Sequence, residues 1–171
     1  MKLIEGMKKL KDLNVKAEDL RAKVAQNAAA LSIETPMYGA DQKATVDGWL
    51  QAHSDILQEI LKLRLAIQKT NIATPVAIEI GGKQVTKTIA EWIHRRRDLA
   101  KLDMDMWAKL GDRGLKEQNV QTSPGGPVTE IRIVRFFDPK LRDEKIGLYR
   151  SEPSVIDATL EVVNAVTDLI Q

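Results

Sequence analysis

His94, Arg95, Arg96 and Arg97 stand in a row and carry the densest local charge of the chain. Guanidinium groups suit two tasks, gripping phosphate or gripping carboxylate. Consecutive helical positions turn by about 100° each, so these four wrap their helix and cannot form one flat basic face. A phosphate site would need further cations delivered by the fold, and Arg132 and Arg135 are the candidates. Nucleic-acid contact through Arg95, Arg97, Arg132 and Arg135 is therefore the alternative reading of the cluster, and structural pairing is the preferred one. A seam of Trp92, Arg96, Leu99, Asp103, Met106 and Leu110 puts Arg96 and Asp103 among inward positions. They lie about 10.5 Å apart along a helix, too far to pair directly. Each is expected to pair across an interface, with another helix or another subunit.

Other chemistry is thin. His53 and His94 are the only histidines, and they lack the spacing of a metal-ligand pair on one helix face. Asp103 and Asp105 lack a Ca²⁺-loop pattern. Gly81-Gly82 and Gly125-Gly126 read as turns, not as phosphate-cradling loops. No nucleophile elbow or paired-carboxylate motif is visible. Cysteine is absent, which excludes disulfides, thiolate catalysis and Cys-based metal sites. The expectation is a protein that is not an enzyme, with no catalytic, cofactor-binding or metal-binding residue.

The elements that would position these groups are mostly helical. Of the 171 residues 43% are apolar but only 4% aromatic, so aliphatic side chains fill the core. The net charge of +2, from 26 basic and 24 acidic residues, argues against a dedicated nucleic-acid or anionic-membrane binder. No apolar run is long enough for a transmembrane helix, and residues 1–6 show no signal-peptide core. The expected location is the cytoplasm, or a virus particle assembled there.

Trp49, His53, Ile56, Ile60, Leu63, Ile67 and Thr70 alternate steps of four and three. That 3.5-residue period lets one helix lie along another for several turns. Leu50, Leu57, Leu61 and Leu65 widen this face, as in helices that touch more than one neighbour. Residues 2–31 read as a partner helix, with Leu3, Met7, Leu10, Leu13, Ala17, Leu20, Val24, Ala28 and Leu31 inward. Pro36 and Gly39 mark the loop between them. Residues 75–87 alternate about Gly81-Gly82, a β-hairpin signal. Thr88 and Glu91 form a capping box for a helix over 88–110. The polar segment 111–127 is expected to be a flexible loop. A strand is expected over 128–137, with 146–149 a candidate pairing partner, and a last helix over 151–171. Asn71-Ile-Ala-Thr74 is echoed by Asn164-Ala-Val-Thr167, which the preference of Asn and Thr for helix ends also explains.

The fold expected is thus mainly α with a small β element, in one domain over 1–171. A long antiparallel, coiled-coil-like helical hairpin (1–74) is followed by the β-hairpin, two further helices and short strands. The order of segments resembles the septicolysin-like family of small bacterial and phage proteins. It runs from a Lys2-Leu-Ile-Glu-Gly6 start through Ile67-Gln-Lys-Thr-Asn71-Ile-Ala-Thr74 and Thr88-Ile-Ala-Glu-Trp-Ile-His-Arg-Arg-Arg-Asp98-Leu99. Thr129-Glu130-Ile131-Arg132 and Asn164-Ala-Val-Thr167-Asp-Leu169 follow. The resemblance carries no catalytic residue over, and it implies phage membership. The function expected is a non-enzymatic structural or assembly protein, such as a head- or tail-associated phage component. Its partners would be further copies of itself and other structural subunits, without nucleic acid or membrane. The interface expected is Trp49, His53, Ile56, Ile60, Leu63, Ile67, Trp92, Arg96, Asp103 and Met106. Nucleic-acid binding as an accessory protein is the alternative.

Overall fold

Steps of three and four residues govern the first helix pair in the computed structural model, which describes residues 1–170. Helix α1 (Leu3–Asn27) and helix α2 (Gln42–Ala73) are joined by a loop with a short 3₁₀ turn, Gly39–Asp41. On α2 all seven seam residues are buried or half-buried, while Leu50, Leu57, Leu61 and Leu65 are exposed. On α1 the inward positions are Leu3, Gly6, Leu10, Leu13, Ala17, Leu20, Val24 and Asn27. Met7, Ala28 and Leu31, expected inward, are exposed, because strict alternation selects Gly6 and Asn27 and the helix ends there. Leu13, Ile60 and Leu63 form the centre of this core, with Leu10, Ile56, Ile67 and Leu169 packed around it. The fold is mainly helical, with four helical rods and two small antiparallel sheets among the described residues.

Packing divides the chain into two compact units interleaved in sequence. The first holds Met1–Val76, Thr88–Ala90 and the chain from Leu160 onward. In it, Leu169 N donates to Met1 O and Leu3 N to Thr167 O, both at 2.9 Å. Lys2 also meets Asp168 at 2.9 Å and holds that carboxyl below its usual pKa.

The second unit holds Ala77–Lys87 and Glu91–Thr159. The Gly turn expected between strands β1 (Pro75–Ile80) and β2 (Lys83–Thr88) is present. Gly81 and Gly82 have φ of +58° and +76°, the paired left-handed conformation that a tight two-residue hairpin needs. A continuous rod follows: α3 (Ile89–His94), one π-helical turn over Arg95–Leu99, and α4 (Ala100–Trp107). Ala100 N bonds Arg95 O, so this turn holds one residue more than an α-turn.

The later elements differ from the sequence expectation. Within 111–127, Gln118–Gln121 forms β3, which pairs antiparallel with β4 (Val128–Ile131), Gln118 opposite Ile131. The strand expected over 128–137 therefore stops at Ile131. Residues 146–149 pair with no strand, because they lie inside α5 (Pro139–Val166). That helix starts earlier than expected since Asp138 caps it. Lys140 N donates to Asp138 Oδ1 at 2.9 Å and Arg142 N to Asp138 O at 3.0 Å. Pro139 then takes the first helical position, where its missing N–H costs nothing.

One arrangement is built twice. The Asn-x-x-Thr echo ends α2 and α5, and each threonine carbonyl accepts the amide of a helix's first residue. Ile89 N donates to Thr74 O at 3.0 Å, and Leu3 N to Thr167 O at 2.9 Å. The helix starts match too. Residues 3–13 and 89–99 align as Leu-Ile-Glu-Gly-Met-Lys-Lys-Leu-Lys-Asp-Leu and Ile-Ala-Glu-Trp-Ile-His-Arg-Arg-Arg-Asp-Leu. In this alignment Lys9 stands where Arg95 does. Counting back from the two threonines, Glu59 stands where Glu152 does.

Candidate interaction site

Arg95 is the best-held cation in the molecule. Its Nε and Nη2 donate to Glu152 Oε1 and Oε2 at 2.6 and 3.0 Å, a bidentate grip of α5. Its Nη1 donates to Asp103 Oδ2 at 2.5 Å, and the guanidinium lies 5.4 Å from the Tyr149 ring centre. Only 19% of the Arg95 side chain and 4% of Glu152 are exposed. A carboxylate buried that far needs a partner to stay charged. The hydrogen bonds that Arg95 donates to Glu152, then to Asp103, outweigh the cost of burial and hold the Arg95 pKa above its ordinary value.

The other arginines of the two basic groups are paired as well. Arg96 meets Asp157 of α5 at 2.6 Å, so it does pair across to another helix as expected. Arg97 meets Asp98 at 3.2 Å, Arg132 meets Glu130, and Arg135 makes two 2.7 Å bonds to Asp112. Arg135 draws the Asp112 carboxyl below its usual pKa. Asp103 pairs with Arg95 on its own rod, not across to another helix, because the π turn changes the register between them.

That turn also corrects the seam expected on this rod. Trp92 is buried at 1% exposure and Arg96 is half-buried, as the spacing implies. Beyond the extra residue two inward positions move on by one, while Asp103 and Leu110 stay half-buried. Ala100 is fully buried where Leu99 was expected, and Trp107 is half-buried while Met106 is 70% exposed. The α2 seam has no such break. Its Trp49 ring meets the Tyr38 ring edge-on at 5.6 Å. His53 Nε2 accepts from Arg21 Nη1 at 3.2 Å, which requires a lone pair on that nitrogen, while Arg21 also pairs with Glu18.

Two features remain open to a partner. The outer face of α2 shows Leu50, Leu57, Leu61, Leu65 and Ile72, each about half exposed. Exposed Ser54 and Gln68 fill its other turns, so no charge sits on the line. Beside α1 and α2 lies a cavity of about 440 Å³ lined by Leu63, Ala66, Leu169 and several lysines. Among the described residues no group of three or more His, Asp or Glu side chains is placed to hold a metal. No described helix is long and apolar enough to cross a membrane.

Lys9, Glu59 and Glu152 were not marked by sequence reasoning. The signal was available, since aligning residues 3–13 with 89–99 puts Lys9 on Arg95 and extending the Asn-x-x-Thr echo backward puts Glu59 on Glu152. Comparison with known proteins adds the fold. No protein-family model matches the chain, and no curated protein matches it. The chain is similar to the crystal structure of a conserved protein of unknown function from Corynebacterium diphtheriae. The TM-score is 0.58 at 18% identity, over 99% of this chain and 98% of that one, a likeness of fold alone.

Proposed function

We propose that this protein is a non-enzymatic assembly module that associates with copies of itself through the outer face of α2. The observation that carries this reading is the uncharged line of Leu50, Ser54, Leu57, Leu61, Leu65, Gln68 and Ile72. It runs about 33 Å at ~1.5 Å per residue on a helix whose seam is already filled by α1. Exposed aliphatic side chains are ordinary when scattered, but a continuous stripe of them marks a contact surface. Its steps of mostly three and four are those of helix-on-helix packing, and two copies of an uncharged line meet without like-charge repulsion. A place in a phage particle is the setting that the family resemblance implies. The nucleic-acid alternative has less support, since Arg95, Arg97, Arg132 and Arg135 are each engaged by a carboxylate.

Light-scattering mass after size exclusion, at low and high salt, tests the reading. The expected result is one discrete oligomer in both, converted to monomer by Leu57→Glu with Leu61→Glu. A wild-type protein that stays monomeric at high concentration sinks it.

A further inference from the structure

The cavity beside α1 and α2 is walled by side chains that also pack over Gly6. In the alignment of the two helix starts, Gly6 stands where Trp92 stands. Trp92 is the largest fully buried side chain among the described residues. At Gly6 there is no side chain at all, and a Cβ placed there would lie 3.3 Å from Leu169 and 3.6 Å from Leu63. Leu63 and Leu169 are also walls of the cavity. The ion pairs diverge in the same direction. Arg95–Glu152 is buried, whereas Lys9–Glu59 stands at the cavity with half of each side chain in water. Leu169 and Leu63 thus take the space over Gly6, and the cavity that they also line is about 440 Å³, within the range of small-molecule sites.

The lining says what would enter. Leu63, Leu65, Ala66 and Leu169 give an apolar floor, and Lys62 and Lys69 stand at its edge. Neither lysine has an ion-pair partner among the described residues, and the one carboxylate of the lining, Glu59, is taken by Lys9. An apolar floor with spare positive charge at the rim complements a chain with an anionic head. We propose that the cavity binds a single-chain acyl carboxylate, its chain on Leu63, Ala66 and Leu169 and its head at Lys62 and Lys69. This goes beyond self-association and does not rest on it, although Leu65 belongs to both surfaces.

Calorimetric titration of the full chain with decanoate, below its micelle concentration, tests the site. Decyltrimethylammonium, with the same chain and opposite charge, is the control. Decanoate should bind saturably and one to one, and the cation at least about tenfold more weakly. Ala66→Trp, which fills the floor, should weaken decanoate at least about tenfold, and Lys62→Glu with Lys69→Glu by about the same factor. Thermal melts establish that each variant is folded, and the exposed lysine pair decides the matter if Ala66→Trp does not fold. In the Leu57→Glu, Leu61→Glu protein, binding should persist. No saturable binding to wild type, undiminished binding in the folded variants, or binding lost with the oligomer would each overturn the proposal.

Discussion

In the first helix pair Lys9 meets Glu59 at 2.5 Å with about half of each side chain in water. In the second, Arg95 grips Glu152 with 19% and 4% exposed. The positions correspond, yet the surroundings set what each pair can do. Around Arg95 the second half supplies Tyr149 and Asp103 as further partners, and Trp92 fills the place of Gly6. A planar guanidinium then matches the buried carboxylate with two parallel bonds, which an ammonium cannot do. Around Lys9 both ions keep water, so their attraction is largely screened. The two corresponding ion pairs thus stand in different surroundings, one closed in by Tyr149 and Asp103, the other open to water beside the cavity.

The sharpest way to break this contrast is Trp92→Ala. Deleting so large a buried side chain should cost about 4 kcal/mol, read as a lowered denaturation midpoint. A loss under about 1 kcal/mol would mean that the second half is not held by that side chain. Next is Arg95→Met, which strands Glu152 in a buried site and should cost about 3 kcal/mol, most of it recovered when Glu152→Leu is added. Lys9→Met should lower the midpoint only slightly, and equal costs at the two places would erase the distinction. The smallest effect concerns pH. The hydrogen bond and charge of Lys9 hold the Glu59 carboxyl below its usual pKa. A carboxylate depressed on folding stabilises above its unfolded pKa and loses that contribution as pH falls through its folded one. The small melting gap between wild type and Glu59→Gln should be present near neutral pH and close on acidification. A gap that persists in acid would assign it to packing, not charge.

Much of the first half was legible in the residues. The α2 seam holds without exception from Trp49 to Thr70, because a helix with an uninterrupted 3.5-residue period can bury that line against one neighbour. Gly81-Gly82 announced the hairpin, since glycine tolerates two successive left-handed conformations at no steric cost. The stripe of Leu50, Leu57, Leu61 and Leu65 was visible as surplus apolar width. The second half was harder to read. Its seam from Trp92 to Leu110 assumed an unbroken α-helix, and one added residue in the π turn put Ala100 and Trp107 inward in place of Leu99 and Met106. The strand expected over 128–137 ran up to Asp138-Pro139, and an Asp cap before a first-turn proline starts a helix there.

The sequence by itself determined the helix pair, the first hairpin and the absence of thiol chemistry, because these depend on spacing and composition within short windows. Only the tertiary structure decided that Arg95 would choose Glu152, that Asp103 would turn back to it, and that Leu63 and Leu169 would close over Gly6 while lining a cavity. Those outcomes depend on residues far apart in the chain whose approach no local period encodes. A buried ion pair forms only where the fold has removed the water from both partners.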